Sequence, residues 1–168
     1  MRSNPRCLYD NSFKGFLSDA DMSILGVLHN NYHGDTRTTT TEAWHGEISI
    51  MRDVVSKCES DGHIIFEYDI PRLGKRIDVV LLLKGIIFCI EFKVGESKIQ
   101  EADVDQVLDY ALDLKNFHKF SQDKIIVPIL IATNYAKQTD DIKWSVYADQ
   151  VVNPLYTGKD GLFDLIAY

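Results

Sequence analysis

Hydrophobic residues in the first third of the chain recur every three or four positions, which is the spacing of an amphipathic helix. The stretch 18–33 has this spacing and starts with a candidate N-cap, Ser18. The stretch 41–57 has it too, with an apolar stripe made of Trp44, Ile48, Met51 and Val55. The pattern predicts two helices joined by a polar linker at 34–41.

Beyond residue 60 the hydrophobic pattern changes to that of β-strands. Apolar runs of strand length and composition lie at 63–70, 76–83, 86–93 and 124–133. A helical pattern at 101–118 separates the third and fourth runs, and a weaker strand at 149–158 precedes a short helix at 161–168. This order predicts an α/β fold with a mixed central sheet flanked by helices.

Length and composition limit the range of functions. The chain has 168 residues, so we expect a helical appendage at 1–35 and one α/β domain at 36–168. Its net charge of -7 argues against a broad charge-driven hold on nucleic acid but allows a local basic groove. Three cysteines show neither disulfide nor zinc spacing, and no apolar stretch would span a membrane. We therefore expect a cytoplasmic protein.

Two carboxylates lie at the outer ends of a predicted hairpin, where burial would be costly without a cationic partner. Lys84 and Gly85 fit a two-residue β-turn, because glycine readily adopts the positive φ that such turns require. Continuing the pairing outward from that turn places Asp78 directly opposite Glu91. Two carboxylates so placed repel each other unless a divalent cation lies between them. The hairpin therefore predicts a divalent metal site.

Lys93 follows Glu91 by two positions and so shares its face of the strand. A pair of carboxylates that binds Mg²⁺ or Mn²⁺, with an ammonium beside it, is suited to phosphodiester hydrolysis. The ammonium would orient the attacking water or neutralise developing negative charge. The alternative is a solvent-facing salt bridge between Lys93 and one of the acids, which leaves the apolar flanks unexplained.

The "RID" and "EFK" segments that carry these residues resemble the motif of the PD-(D/E)xK nuclease superfamily. The resemblance implies a restriction-endonuclease-like core of a helix, a three-stranded meander, a helix and a further strand. It also implies Mg²⁺ or Mn²⁺ bound by Asp78, Glu91 and the backbone carbonyl of Phe92, with Lys93 orienting the water. Glu47 best matches the first-helix glutamate that often supports such sites, although an exposed helix residue is an equal alternative.

Two further elements resemble nucleic-acid enzymes. The stretch "DQVLDYALDL" resembles the Gln-x-x-x-Tyr element of RecB-type nuclease domains, which implies that Gln106 and Tyr110 position water or substrate. Their alternative role is to cover the edge of the core. The segment "PRLGKR" supplies Arg72, Lys75 and Arg76, which would bind phosphates or else form a solubilising loop. Because the likeness is to DNA-processing helicase–nucleases, it favours DNA over RNA.

The stretch from "FEYDIPRLGKRIDVV" to "IVPILIAT" is similar to a segment that precedes a P-loop helicase-type ATPase in some bacterial proteins. No Walker A motif is present, so we expect no ATPase in this chain, which is either part of a longer protein or a stand-alone relative. The likeness implies an ATPase partner and is compatible with a homo-oligomer. One alternative is a catalytically silent module that binds nucleic acid or oligomerises and regulates the ATPase. Another is a structural domain with an acidic protein-binding face.

Overall fold

A six-stranded mixed sheet forms the centre of the α/β fold, in a computed structural model that describes residues 6–34, 38–70, 73–136 and 143–167. The strands, in both chain order and spatial order, are β1 Tyr9–Ser12, β2 His63–Ile70, β3 Lys75–Leu83, β4 Ile86–Lys93, β5 Ile125–Ala132 and β6 Leu155–Thr157. The α-helices of the described residues are α1 Phe13–Ser18, α2 Asp21–Asn31, α3 Thr38–Ser56, α4 Glu101–Phe117 and α5 Leu162–Ile166. The predicted α/β class, with a central sheet flanked by helices, is confirmed.

Helices cover the sheet on both faces and divide its core into two clusters. Strands β1 to β4 form an antiparallel meander, whereas β5 and β6 continue the sheet in parallel to β4. Helix α4 provides the crossover that the parallel β4–β5 pair requires, and it packs on one face, the α4 side. The other helices pack on the opposite face, the α3 side.

Helix α3 carries the predicted stripe of Trp44, Ile48, Met51 and Val55, all of which are buried on the α3 side. The helix begins at Thr38, so residues 38–41 of the predicted linker belong to its first turn. The expected N-cap at Ser18 is wrong: Ser18 ends α1, and Ala20 precedes α2 without a side-chain cap.

The N-terminal segment supplies an edge strand that the sequence pattern does not reveal. Strand β1 pairs antiparallel with β2, and its four residues are too few to show a clear period. Its Tyr9 lies in the same cluster of buried residues as Phe16 of α1 and Ile48 of α3. The domain boundary expected between residues 35 and 36 lies outside the described residues.

Two of the sequence-based expectations concern the cysteines and membrane-spanning segments. The cysteines at positions 7, 58 and 89 are all free thiols. No helix in the described ranges combines the length and the hydrophobicity needed to cross a bilayer. The free thiols agree with the absence of disulfide spacing in the sequence, and the described ranges contain no membrane-spanning helix.

Candidate functional site

The β3–β4 hairpin has the register that its turn residues predict. Lys84 and Gly85 both have positive φ, 51° and 80°, as a type I′ turn requires. Pairing then runs outward from the turn until Val79 faces Ile90, and there the ladder ends. The regular part of the hairpin is thus confirmed up to the last pair before the predicted metal site.

Beyond that pair the two strands separate, and Asp78 and Glu91 do not form the predicted ladder pair. The backbone N–H of Phe92 donates to Asp78 Oδ2 at 2.8 Å, so a side chain takes the place of a strand carbonyl. Repulsion between two largely buried carboxylates opposes close strand pairing at this point. The two carboxylates are nevertheless close together, because both line one cleft and the charge of Glu91 raises the pKa of Asp78.

The neighbouring β2–β3 ladder is interrupted at the same level. Glu67 and Asp78 are skipped between two paired positions, and Glu67 has a left-handed φ of 54°. Before this gap, Phe66 pairs with Val79, and both lie in the α3-side cluster. After it, Tyr68 pairs with Ile77, and both lie in the α4-side cluster. The side-chain alternation of both strands therefore shifts at the two acids.

Four carboxylates line one cleft of about 310 Å³ at this interruption: Glu47, Glu67, Asp78 and Glu91. Glu47 is 4% exposed and Glu91 is 6% exposed. The Oε2 atom of each has no hydrogen-bond partner among the described residues. Because buried polar atoms in folded proteins almost always have partners, these two oxygens are available to bind a water molecule or a ligand.

Burial raises the pKa values of the acids in this cleft. Burial, with the charges of Glu67 and Glu91 adding to it, raises the pKa of Glu47 to about 8. Burial also raises the pKa of Glu91 to about 7, although the nearby ammonium of Lys93 lowers it in part. The pKa of Asp78 lies well above its usual range, first because of burial and then because of the neighbouring carboxylates. Without a cation, the cleft therefore retains protons near neutral pH.

Lys93 is held on the α4 side of the site by a network of polar side chains. Its ammonium donates to Gln106 Oε1 at 2.9 Å and lies 3.5 Å from Glu91 Oε1 and 3.3 Å from Asp103 Oδ1. Gln106 in turn donates to Tyr110 Oη at 2.6 Å. Burial alone would lower the pKa of Lys93, but the carboxylates of Glu91 and Asp103 raise it overall. The structure thus brings the Gln-x-x-x-Tyr residues to the lysine.

The predicted phosphate-binding residues take different positions. Arg72 lies outside the described residues. Arg76 lies beside the cleft, with Nη1 3.8 Å from Glu67 Oε2 and its guanidinium carbon 5.3 Å from the Tyr32 ring centroid. Lys75 has its ammonium 5.9 Å from the centroid of an α4 tyrosine ring. Of Lys75 and Arg76, the two that the structure describes, Arg76 contacts an acid of the cleft.

The backbone carbonyl of Phe92 faces the gap between β3 and β4. The carbonyl of Lys93 accepts from Thr133 N, which places that residue's peptide groups on the β5 edge of β4. The Phe92 N–H points the other way, toward Asp78. Because N–H and C=O of one strand residue project from the same edge, the Phe92 carbonyl also lies on the β3 edge. This is the side on which the predicted metal ligands lie.

Sequence reasoning assigned no site role to Glu67, Trp44 or Asp103. Glu67 lines the cleft and accepts a hydrogen bond of 2.8 Å from Trp44 Nε1, although Trp44 was assigned only to the core. Asp103 contacts the ammonium of Lys93. A charged residue inside the apolar run "IIFEY" is the signal for Glu67, and the helical spacing of Asp103 from Gln106 is the signal for Asp103.

No protein-family model, curated protein or solved structure gives a significant match to this chain. Within the described ranges, no group of three or more His, Cys, Asp or Glu side chains is arranged to hold a metal ion. The oxygen donors that meet at the cleft are carboxylates and one peptide carbonyl. This donor set suits a hard cation such as Mg²⁺, which commonly keeps several waters and uses one or two carboxylates.

Proposed function

We propose that this chain is a metal-dependent nuclease that hydrolyses phosphodiester bonds, with DNA rather than RNA as its substrate. One observation carries the proposal: the buried Oε2 atoms of Glu47 and Glu91 have no partner among the described residues, in a cleft that Asp78 also lines. Burying several carboxylates together is unfavourable unless they are protonated or a cation neutralises them. A site for a divalent cation accounts for both their burial and their clustering.

The residues of the cleft fit Mg²⁺ or Mn²⁺. Asp78, Glu91 and the Phe92 carbonyl would hold the ion, and Glu47 would support it from helix α3. When bound, such an ion lowers the pKa of an attacking water and offsets negative charge on the phosphate oxygens. The chain itself supplies the oxygen donors and keeps them close together at the point where β3 and β4 separate.

Lys93 would act beside these ligands. Its ammonium lies 3.5 Å from Glu91 and is held there by Gln106, which Tyr110 in turn orients. A charged group held in place by other side chains stabilises developing negative charge better than one that must first reorganise. In this proposal Lys93 aligns the water or stabilises the phosphate, and Gln106 and Tyr110 are positioning residues.

The choice of DNA and of a helicase-type ATPase as partner is supported by sequence resemblance alone. The Gln-x-x-x-Tyr element supports DNA, and the likeness of the segment from β2 to β5 supports the ATPase partner. We also propose a cytoplasmic location, which the free cysteines at 7, 58 and 89 support.

A nuclease assay with isosteric variants tests the proposal. We expect the wild-type chain to cleave DNA with Mg²⁺ or Mn²⁺ and to be inactive in EDTA. Asp78→Asn, Glu91→Gln and Lys93→Met should each lower the cleavage rate by about 100-fold or more, because each removes a ligand or a charge at the reacting centre. Glu59→Gln, which changes an exposed acid, should cleave at the wild-type rate.

A different outcome would favour the silent-module alternative. The wild-type chain would bind single- or double-stranded DNA or RNA but would cleave none of them with either metal. In that case Lys93→Met would leave binding unchanged. This combination of results would overturn the nuclease proposal.

A further inference from the structure

Glu67 differs from the other buried acids of the cleft because both of its carboxylate oxygens already have partners. Trp44 Nε1 donates to Oε1 at 2.8 Å, and Nη1 of Arg76 lies 3.8 Å from Oε2. Glu47 and Glu91, by contrast, each keep one buried oxygen with no partner among the described residues. The carboxylate of Glu67 is therefore already engaged by neighbouring side chains, whereas Glu47 and Glu91 each have an oxygen available to a ligand.

The backbone of Glu67 is also held in an unfavourable conformation. Its φ of 54° lies in the left-handed region, inside strand β2, and the β2–β3 ladder skips its position. For a residue other than glycine this conformation costs about 1–2 kcal/mol. Such strain persists only where the surrounding structure enforces it; ladder pairs hold the backbone on both sides of Glu67, and its side chain contacts Trp44 and Arg76.

Two contacts hold the partly exposed side chain of Arg76 beside the cleft. Its side chain is 36% exposed, its guanidinium lies over the Tyr32 ring, and its ion pair with Glu67 is long. A guanidinium has five N–H donors in a planar fork that matches a phosphate group. Stacking and the ion pair restrict its rotamers, so less entropy is lost when a phosphate binds.

We propose that Glu67 is a positioning residue that holds Arg76 beside the cleft, so that its guanidinium binds a phosphate of the nucleic-acid strand next to the cleaved bond. This inference rests on the proposed nuclease function. The 3.8 Å ion pair leaves guanidinium N–H groups to bind that phosphate while Glu67 keeps the side chain in place.

The direction in which DNA affinity changes when the Glu67 carboxylate is removed separates a positioning role from a purely electrostatic one. A carboxylate that only added negative charge near a phosphate site would weaken binding, so its removal would strengthen binding. A carboxylate that positions an arginine has the opposite effect, because its removal releases the guanidinium. Glu67→Gln keeps an oxygen that accepts from Trp44 but presents an NH₂ group to Arg76, so it isolates the second contact.

The test measures binding of a fluorescent single-stranded DNA oligonucleotide by anisotropy, in EDTA at pH 7.5, so that no cleavage occurs. Arg76→Gln and Glu67→Gln should each weaken binding by about 5- to 10-fold and to a similar extent for different DNA sequences, because each impairs one phosphate contact. The double variant should bind no more weakly than Arg76→Gln, because Glu67 acts through Arg76. Lys84→Gln is the matched control, because it removes one positive charge at the turn end of the same hairpin.

Thermal unfolding of each variant will show that it is folded, and three results would overturn the inference. The first is that Glu67→Gln binds DNA as tightly as wild type or more tightly. The second is that the two losses add in the double variant. The third is that Glu67→Gln loses Mn²⁺ affinity in a calorimetric titration, which would make Glu67 a ligand and leave the nuclease proposal standing. Conversely, a wild type that fails to cleave would sink the nuclease proposal without changing this affinity pattern.

Discussion

The two ends of the β3–β4 hairpin follow opposite physical rules. At the turn end, Leu81 pairs with Phe88, both side chains are buried in the α3-side cluster, and the turn has the geometry that its residues favour. At the open end the ladder stops, Asp78 and Glu91 bring carboxylates together, and the Phe92 N–H bonds a side chain. One short hairpin thus contains both a well-packed core and an electrostatically unfavourable cluster.

The difference shows which part of the hairpin serves stability and which part serves chemistry. Apolar packing at the turn end lowers the free energy of the folded state. The acids at the open end raise it, because burial and mutual repulsion oppose their ionisation. Local departures from the rules of stable folds are expected at functional sites, and here they coincide with the proposed metal ligands.

The largest expected effect is at the turn end. Phe88→Ala should lower the free energy of unfolding by about 3–5 kcal/mol, because it leaves a cavity in the α3-side cluster. Urea denaturation followed by circular dichroism measures this. Leu82→Ala, on the same hairpin but 38% exposed, is the matched control and should cost about 1 kcal/mol or less. Similar losses for both variants would contradict the account of this end.

The open end should respond in the opposite direction. Glu47→Gln should stabilise the metal-free protein at pH 9 by about 1–3 kcal/mol, because the wild type must then ionise a buried carboxyl whose pKa is about 8. At pH 5 the two proteins should differ little, since Glu47 is then neutral. Glu42→Gln changes an exposed acid of the same helix and should have no such effect. Destabilisation by Glu47→Gln at pH 9 would show that the ionised carboxylate is favourable even without a metal.

The same pKa shifts predict how stability depends on pH. The carboxyls of Glu47 and Glu91, with pKa values of about 8 and about 7, bind protons more tightly in the folded chain than at the ordinary value of 4.5. Their contribution to stability is therefore complete below about pH 4.5 and is lost as pH rises through 7 and 8. Mn²⁺ should reverse this loss, because it binds the ionised groups.

Thermal unfolding with and without Mn²⁺ checks that dependence. The melting temperature of the metal-free protein should fall between pH 6 and pH 8.5, by about 2–4 °C for each kcal/mol lost. Added Mn²⁺ should raise it more at pH 8.5 than at pH 6. An equal rise at both pH values would show that Mn²⁺ does not stabilise the protein by binding these ionised carboxyls.

The smallest effect concerns the turn itself. Gly85→Ala should cost about 1 kcal/mol, because a residue with a Cβ is strained at a φ of 80° while the added carbon itself meets no atom within 4 Å. Lys84→Asn should be neutral or slightly stabilising, since asparagine tolerates the left-handed region better than lysine. Urea midpoints measure both changes, and an unchanged midpoint for Gly85→Ala would contradict the turn assignment.

Most of the fold could be predicted from local patterns. The stripe of Trp44, Ile48, Met51 and Val55 shows a helix, and Lys84-Gly85 sets the hairpin register. The short strand β1 could not be predicted, because its residues take strand geometry only by pairing with β2. The beginning of α3 was also misplaced. Threonine is β-branched and has a low helix propensity, so a run of threonines does not predict the first turn of a helix.

The candidate site was only partly predictable. The proximity of Asp78 and Glu91 follows from the turn, but the separation of the strands does not, because it depends on the repulsion of acids from several elements. Glu67 reaches the cleft through a left-handed backbone that strand periodicity does not anticipate. Asp103 contacts Lys93 only because α4 packs across β4. Local sequence signals mark Glu67 and Asp103 as unusual, but the contacts that these residues make depend on tertiary structure.

The central claim is that the acids at the open end of the hairpin form a metal site. A calorimetric titration of Mn²⁺ at pH 8 into the wild-type chain and into an Asp78→Asn, Glu91→Gln double variant tests it most directly. We expect the wild type to bind Mn²⁺ saturably and the variant to lose this binding, because the variant keeps the shape of the cleft but not its charge. Equal binding by both proteins, or no binding by the wild type, would contradict it.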